Sequence, residues 1–284
     1  MTAEAAAAGG SGEGSPGAAP IGVFDSGIGG LTVLSALHLR LPSESTVYLG
    51  DTARLPYGPK SPETVRRYFL EAGQFLLEHD VKLIVVACNT ASARALPDLA
   101  PRLPVPVIGV VEPGARAAVA RTRSGVIGVI GTRGTIESEA YQRAIRELRP
   151  DARIEAAPCP LFVALVEEGW TEGEVAELTA RRYLTPLLER EVDTLVLGCT
   201  HYPHLRDLLA RIAGASVALV EPAEATAAAA DRRLSEDGLL ARTGARGERR
   251  YYVTDDAPRF RFMAERWMDE PVEHLEQVTL PATS

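Results

Sequence analysis

Between residues 78 and 88 the chain passes from a polar helix end, Glu78-His79-Asp80, into an apolar run, Leu83-Ile84-Val85-Val86-Ala87, that stops at Cys88. A run this short, rich in β-branched residues and apolar at odd and even positions alike, predicts a central strand of a parallel sheet covered on both faces. The same succession returns 111 positions later, where Glu189-Arg190-Glu191 leads into Thr194-Leu195-Val196-Leu197-Gly198 and stops at Cys199. Each block is followed by an amphipathic stretch and a further apolar run, Val105 to Val111 and Val217 to Val220, both closing in Glu-Pro. Upstream, Ile21-Gly22-Val23-Phe24-Asp25-Ser26 has a weaker echo in Ile127-Gly128-Val129-Ile130-Gly131-Thr132. Strands alternating with helical patterns predict βαβ units with right-handed crossovers. The chain therefore reads as α/β, with two similar parallel-sheet domains related by a pseudo-two-fold axis and a cleft between them. A strand over Thr46 to Leu49, another over Arg250 to Thr254 and a helix over Pro258 to Met268 complete the pattern.

The first twenty residues, MTAEAAAAGGSGEGSPGAAP, break it. They lack the basic start and continuous apolar block of a secretion signal and are too rich in Gly, Ser, Ala and Pro to pack, so a disordered tail is expected over 1–20. The 284 residues, 46% of them hydrophobic and 24% charged, can bury two cores. A formal charge of −8 provides no basic field for a phosphate backbone, which argues against nucleic acid as a partner. No apolar stretch approaches the ~20 residues that span a bilayer, so no membrane segment is expected. Three cysteines, Cys88, Cys159 and Cys199, are too few and too scattered for a secreted disulfide framework. Free thiols in a reducing cytoplasm are the expectation.

Ligands of open parallel sheets bind at the carboxyl ends of the strands, where helix starts present unpaired N–H groups. Cys88 and Cys199 both fall at such ends, followed by Asn89-Thr90-Ala91-Ser92 and by Thr200-His201. Helix-start donors lower a thiol's pKa and make a thiolate available near neutral pH. The bland alternative is that each is a buried core cysteine. Repetition at equivalent sites weighs against it, while Cys159, in Pro158-Cys159-Pro160 with no counterpart in the first half, is read as core.

Asp25-Ser26-Gly27-Ile28-Gly29-Gly30 follows a strand and opens a helix, yet matches neither the dinucleotide nor the P-loop pattern. It is either a capped tight turn or a site where Asp25 assists one thiol and Ser26 meets substrate. Cys199, His201 and His204 have the spacing of metal ligands, but Pro203 interrupts them and no second Cys/His cluster supplies the rest, so no metal is expected. Only two lysines are present, Lys60 in a loop and Lys82 before a strand. Neither suits the Schiff base that pyridoxal phosphate requires, so no cofactor is expected.

Seven motifs in order, IGVFDSGIGGLTVL, YLGDTARLPYG, VVACNTASA, GVVEPG, GVIGTRGTIES, CPLFVALVEEGW and LGCTHYPHL, resemble the glutamate racemase family from Ile21 to about Trp267. The resemblance implies that Cys88 and Cys199 are the two acid/base residues and that the reaction interconverts L- and D-glutamate without a cofactor, supplying D-glutamate for peptidoglycan. It implies that Asp25, Ser26, Tyr57, Gly58, Asn89, Thr90, Thr200 and His201 bind substrate or tune the thiols. It also implies that a glutamate of the LVEEG stretch, Glu167 before Glu168, assists the second cysteine. By the same resemblance the C-terminal segment returns to the first domain, giving residues 21–113 plus 222–284 and residues 114–221, and a homodimer is allowed. A racemase of aspartate or another amino acid, and a non-catalytic amino-acid binding protein, are the alternatives.

Overall fold

The computed structural model describes residues 16–241 and 244–281. Most of the expected tail, residues 1–15, lies outside them; Pro16–Ala18 form one 3-10 turn, and the Gly17 carbonyl accepts from Lys82 Nζ at 2.7 Å. The first half runs β1 (Ile21–Asp25), α1 (Leu31–Arg40), β2 (Thr46–Gly50), α2 (Pro62–Leu77), β3 (Leu83–Val86), α3 (Asn89–Arg94), α4 (Leu96–Leu99) and β4 (Val107–Gly109). Helix α5 (Val111–Arg121) leads into β5 (Val126–Gly131), α6 (Arg133–Glu137), α7 (Ala140–Leu148), β6 (Arg153–Pro158), α8 (Leu161–Glu167), α9 (Glu174–Leu188), β7 (Thr194–Gly198), α10 (Arg206–Ala213) and β8 (Ala218–Val220). The chain ends with α11 (Pro222–Glu236), β9 (Arg249–Val253), α12 (Ala257–Met268) and β10 (His274–Gln277).

Two parallel sheets result. One has the order β10-β9-β2-β1-β3-β4 and the other β6-β5-β7-β8. The order β2-β1-β3-β4 is thus repeated as β6-β5-β7-β8, so the two-part sequence pattern is a repeat of topology, and the larger sheet is extended beyond β2 by the C-terminal strands. Every residue of β1, β3 and β7 is buried, which is what a central strand covered on both faces demands and why these runs are apolar without alternation. Apolar clusters pack on each face of each sheet, with α1, α11 and α12 on one side of the larger sheet and α2 on the other.

The apolar run expected over Val105 to Val111 is a strand only at Val107–Gly109; Val111-Glu112-Pro113 already belong to α5. Proline is tolerated in a helix's first turn, where its missing N–H has no partner to lose, so Glu-Pro opens a helix here, as Pro222 does at the start of α11. The domain boundary expected after residue 113 accordingly falls inside α5, the helix that carries the chain from one sheet to the other. No helix among the described residues is long and apolar enough to cross a membrane.

Candidate active site

The two sheets point the ends of β1 and β3, and of β5 and β7, toward a common seam. Cys88 stands two residues beyond Val86 at the end of β3 and is the N-cap residue of α3; Cys199 directly follows Gly198 at the end of β7. They are 5% and 6% exposed, so the seam is shut around both thiols. A neutral Cys88 Sγ–H donates to Ser26 Oγ at 3.4 Å. Cys199 Sγ lies 3.9 Å from His201 Nδ1, and His201 Nε2 lies 3.0 Å from Glu167 Oε1, at the end of α8.

The loop after β1 ties the two centres together. Asp25 ends β1 fully buried, its Oδ2 accepting from the Gly27 N–H at 2.9 Å while Oδ1 is buried with no hydrogen-bond partner among the described residues. Four residues on, Gly29 abuts the second domain: a methyl group there would overlap Thr200 Oγ1 and come within 2.6 Å of His201 Nδ1. Only glycine allows this approach of the β1–α1 loop to the Cys199 side, while Gly30 lies against the Asp25 side chain and Gly27 against Leu55, so the run answers three different close contacts and matches no nucleotide motif. Thr32 Oγ1 adds a contact to the Thr200 carbonyl at 3.4 Å.

Other bonds close the seam elsewhere. Thr90 Oγ1 meets Thr132 Oγ1 at 2.8 Å, and Tyr141 donates to Asn89 Oδ1 at 2.7 Å. The Gly134 N–H donates to the Gly58 carbonyl at 2.9 Å, and the Gly134 carbonyl accepts from Arg94 Nε at 2.8 Å. Tyr57, buried, donates to Asp51. A cavity of about 240 Å³ lined by Ile28, Leu55, Glu167 and Arg259, among others, lies at the outer edge of the seam.

Electrostatics differ between the two centres. Burial pushes the Cys88 thiol up to about 12, and the neighbouring Asp25 carboxylate acts in the same direction against the Ser26 bond. The acidifying influence expected of the α3 helix start is therefore outweighed at this cysteine, because desolvation penalises the thiolate more than one short turn of donors favours it. At His201 burial works against the charge, but the bonds to Cys199 and Glu167 prevail and raise the imidazole to about 10. Burial likewise resists ionisation of Glu167, and its bond to His201 keeps it below the usual carboxylate range. Asp25 is raised by burial, with the His201 charge pulling the other way.

Of the residues singled out from sequence, Asp25, Ser26, Asn89, Thr90, Thr200, His201 and Glu167 gather with the two cysteines along this seam. Tyr57 and Gly58 lie on the loop that meets α6. Glu168, one residue from Glu167, is exposed and lies 3.9 Å from Arg259. Cys159 sits in the second core, its carbonyl bonded by Tyr202. His204 turns away from Cys199 to stack on Trp267 with ring centroids 3.9 Å apart. Residues that motif reading passed over are Thr132 and Thr135, which form a hydroxyl cluster with Thr90, and Tyr141, which fixes Asn89. Thr132 carried a usable signal, since the repeat aligns it with Ser26.

Comparison with known proteins finds relatives over most of the chain. A family model described as Asp/Glu/Hydantoin racemase matches residues 31–230. The chain is 53% identical over 262 residues to the glutamate racemase of Geobacter metallireducens, covering 92% of this chain and 97% of that relative. Among solved structures it is similar to glutamate racemase isoform RacE1 from Bacillus anthracis, with a TM-score of 0.90, 40% identity, and 93% and 99% of the two chains covered. It is similar also to the glutamate racemase from Francisella tularensis in complex with D-glutamate, with a TM-score of 0.88, 38% identity, and 94% and 100% covered.

Proposed function

Because the chain belongs to the Asp/Glu/hydantoin racemase family, we propose that it interconverts L- and D-glutamate by passing the α-proton between Cys88 and Cys199. The observation that carries this reading is the pair of thiols at equivalent strand ends of two repeated domains, both enclosed in one seam and each provided with its own polar partners.

Racemisation removes a proton from one face of the α-carbon and returns one to the other, so one thiolate acts as base while the opposite thiol acts as acid. The electron pair of the broken C–H bond rests on the substrate until the second S–H bond is broken, after which the two sulfurs have exchanged roles. Cys88, held protonated by burial and by Asp25, is suited to start as the acid. A charged His201 beside Cys199 gives a thiolate there an opposite charge, and the Glu167 carboxylate keeps the imidazole charged.

The carbanionic state needs preorganised donors in a dry enclosure. The hydroxyls of Ser26, Thr90 and Thr200 and the amide of Asn89 are the groups that would hold the substrate carboxylates. Asp25 Oδ1, buried and unpartnered, is an acceptor suited to the substrate ammonium group. Of the two lysines, Lys82 pairs with Glu44 at the opposite end of β3, and Lys60 lies near the Tyr68 ring. The reading therefore assigns no electron-sink cofactor.

On the same reading the reaction takes place in the cytoplasm, which keeps both thiols reduced, and supplies D-glutamate for peptidoglycan. The test is loss of α-deuterium from L- and D-glutamate in water without added cofactor, alongside aspartate and other amino acids. Racemisation of glutamate above the rest of the panel supports the reading. Binding without exchange, or a preference for aspartate, overturns it.

A further inference from the structure

Helix α12 belongs to the C-terminal segment that returns to the larger sheet, yet one of its faces lies on the second domain. Arg259, Met263 and Trp267 recur every four residues and so share that face. Arg259 Nη2 approaches the Glu167 carbonyl at 3.4 Å. Met263 and Trp267 line a cavity together with Glu167 and His204. Trp267 packs against the cores of both domains. Its ring stacks on His204 at 3.9 Å and 33°, and meets His201 at 6.2 Å and 86°, an edge-to-face arrangement.

From this geometry we infer that Trp267 is a positioning residue for the Cys199 centre: it fixes the His201 ring against Glu167 and keeps water from their bond. The inference rests on the two-thiol reading above and deepens it, since it makes the first domain supply one wall of the second domain's acid/base pair. The mechanical path is short. His204 lies on the 3-10 turn Tyr202–Leu205 that begins one residue after His201, so a ring clamped on His204 restrains the segment carrying the imidazole. Among the described residues, the charged or titratable groups facing His201 are Asp25 from β1, Glu167 from α8, and Cys199 and His204 on its own segment, with Arg259 of α12 behind Glu167. Trp267 adds no charge to this set and acts by shape and exclusion.

The test is a double-mutant cycle on the full-length protein, read by racemisation and by the His201 ring-carbon NMR titration. Trp267→Ala is expected to lower kcat about 10-fold and to move the His201 titration down by about one pH unit, the loosened bond to Glu167 outweighing the relief of burial, with Trp267→Phe restoring most of both. If Trp267 acts through His201, Trp267→Ala costs less than about 2-fold when added to His201→Asn, because coupled residues are not additive. Additive losses, or an unmoved His201 titration in a folded Trp267→Ala protein, overturn the assignment. Should Trp267→Ala fail to fold, Trp267→Leu takes its place in the same cycle, and an unmoved titration there counts equally against the assignment. The NMR readout needs no turnover, so failure of the racemase reading and failure of the Trp267 assignment are told apart.

Discussion

Replacing Glu167 by glutamine keeps an acceptor opposite His201 Nε2 and removes its negative charge. His201 stands at about 10 against an ordinary 6.5, a difference worth roughly 5 kcal/mol at about 1.4 kcal/mol per unit, and Glu167 is one of the two partners that sustain it against burial. Loss of that charge is expected to bring the imidazole down by at least about one unit, and each unit is a factor of ten in the charged form at alkaline pH. Because on the proposed mechanism the charged imidazole is the partner of a thiolate at Cys199, the alkaline limb of kcat/KM should move to lower pH and kcat should fall on the order of 10- to 100-fold. The assay is circular dichroism of glutamate starting from each enantiomer over pH 6 to 11, with Glu168→Gln as control. Glu168 is exposed and, among the described residues, pairs with Arg259 rather than His201, so its substitution should leave the profile in place. A Glu167→Gln enzyme with kcat within twofold of the parent and an unmoved alkaline limb would refute the reasoning.

Cys88→Ser and Cys199→Ser should each abolish racemisation while leaving one enantiomer, a different one in each variant, able to acquire solvent deuterium at the α-carbon; equal wash-in from both enantiomers in either variant contradicts the two-thiol assignment. Gly29→Ala should reduce activity at least about 10-fold, since the added methyl collides with Thr200 and His201; unchanged kinetics would mean the β1–α1 loop does not hold that contact in solution. Arg94→Ala removes the bond to the Gly134 carbonyl and should raise KM more than it lowers kcat, by weakening closure of the seam; a pure kcat effect speaks against it. His201 has a folded pKa above its unfolded one, so its stabilising contribution is complete below pH 6.5 and is lost as pH rises through about 10. Urea midpoints of the parent and His201→Asn should converge over that window, and a gap that widens with pH reverses the sign of the argument.

The fold was legible where the physics is local and repeated. A buried parallel strand has to be apolar at every position, so β3 and β7 announced themselves, and their cysteines fell at the strand ends where ligands bind. The repeat then predicted a shared topology that the two sheets display. Less legible was anything set by contacts between distant segments. Glu167 and Glu168 are neighbours in a charged stretch, and only the packing of α8 against the turn after β7 separates the one that meets His201 from the one that meets solvent. The acidity of Cys88 was misjudged for a related reason: a sequence shows the helix start but not the depth of burial or the Asp25 carboxylate beside the thiol. Trp267 lies 66 residues from His201, and no spacing rule connects them.

The inequality of the two centres is compatible with the symmetry the reaction demands. Enantiomers are related by reflection, whereas two repeated domains of L-amino acids can be related only by rotation, so the two faces of the substrate necessarily meet different surroundings. Asp25 and Ser26 stand beside one thiol, His201 and Glu167 beside the other. Equilibrium constrains the outcome nonetheless: L- and D-glutamate have equal free energy in water, so kcat/KM must be the same in both directions for the parent and for every variant. Asymmetry can appear only in how that ratio divides between kcat and KM, and in which enantiomer exchanges its α-proton when one thiol is removed. On the proposed mechanism the resting protein holds its proton on Cys88, so the enantiomer that presents its α-hydrogen to Cys199 finds the enzyme already in the right protonation state. The opposite enantiomer must wait for that proton to move. A solvent-isotope dependence of kcat that differs between the two directions, at equal kcat/KM, is the signature of that wait.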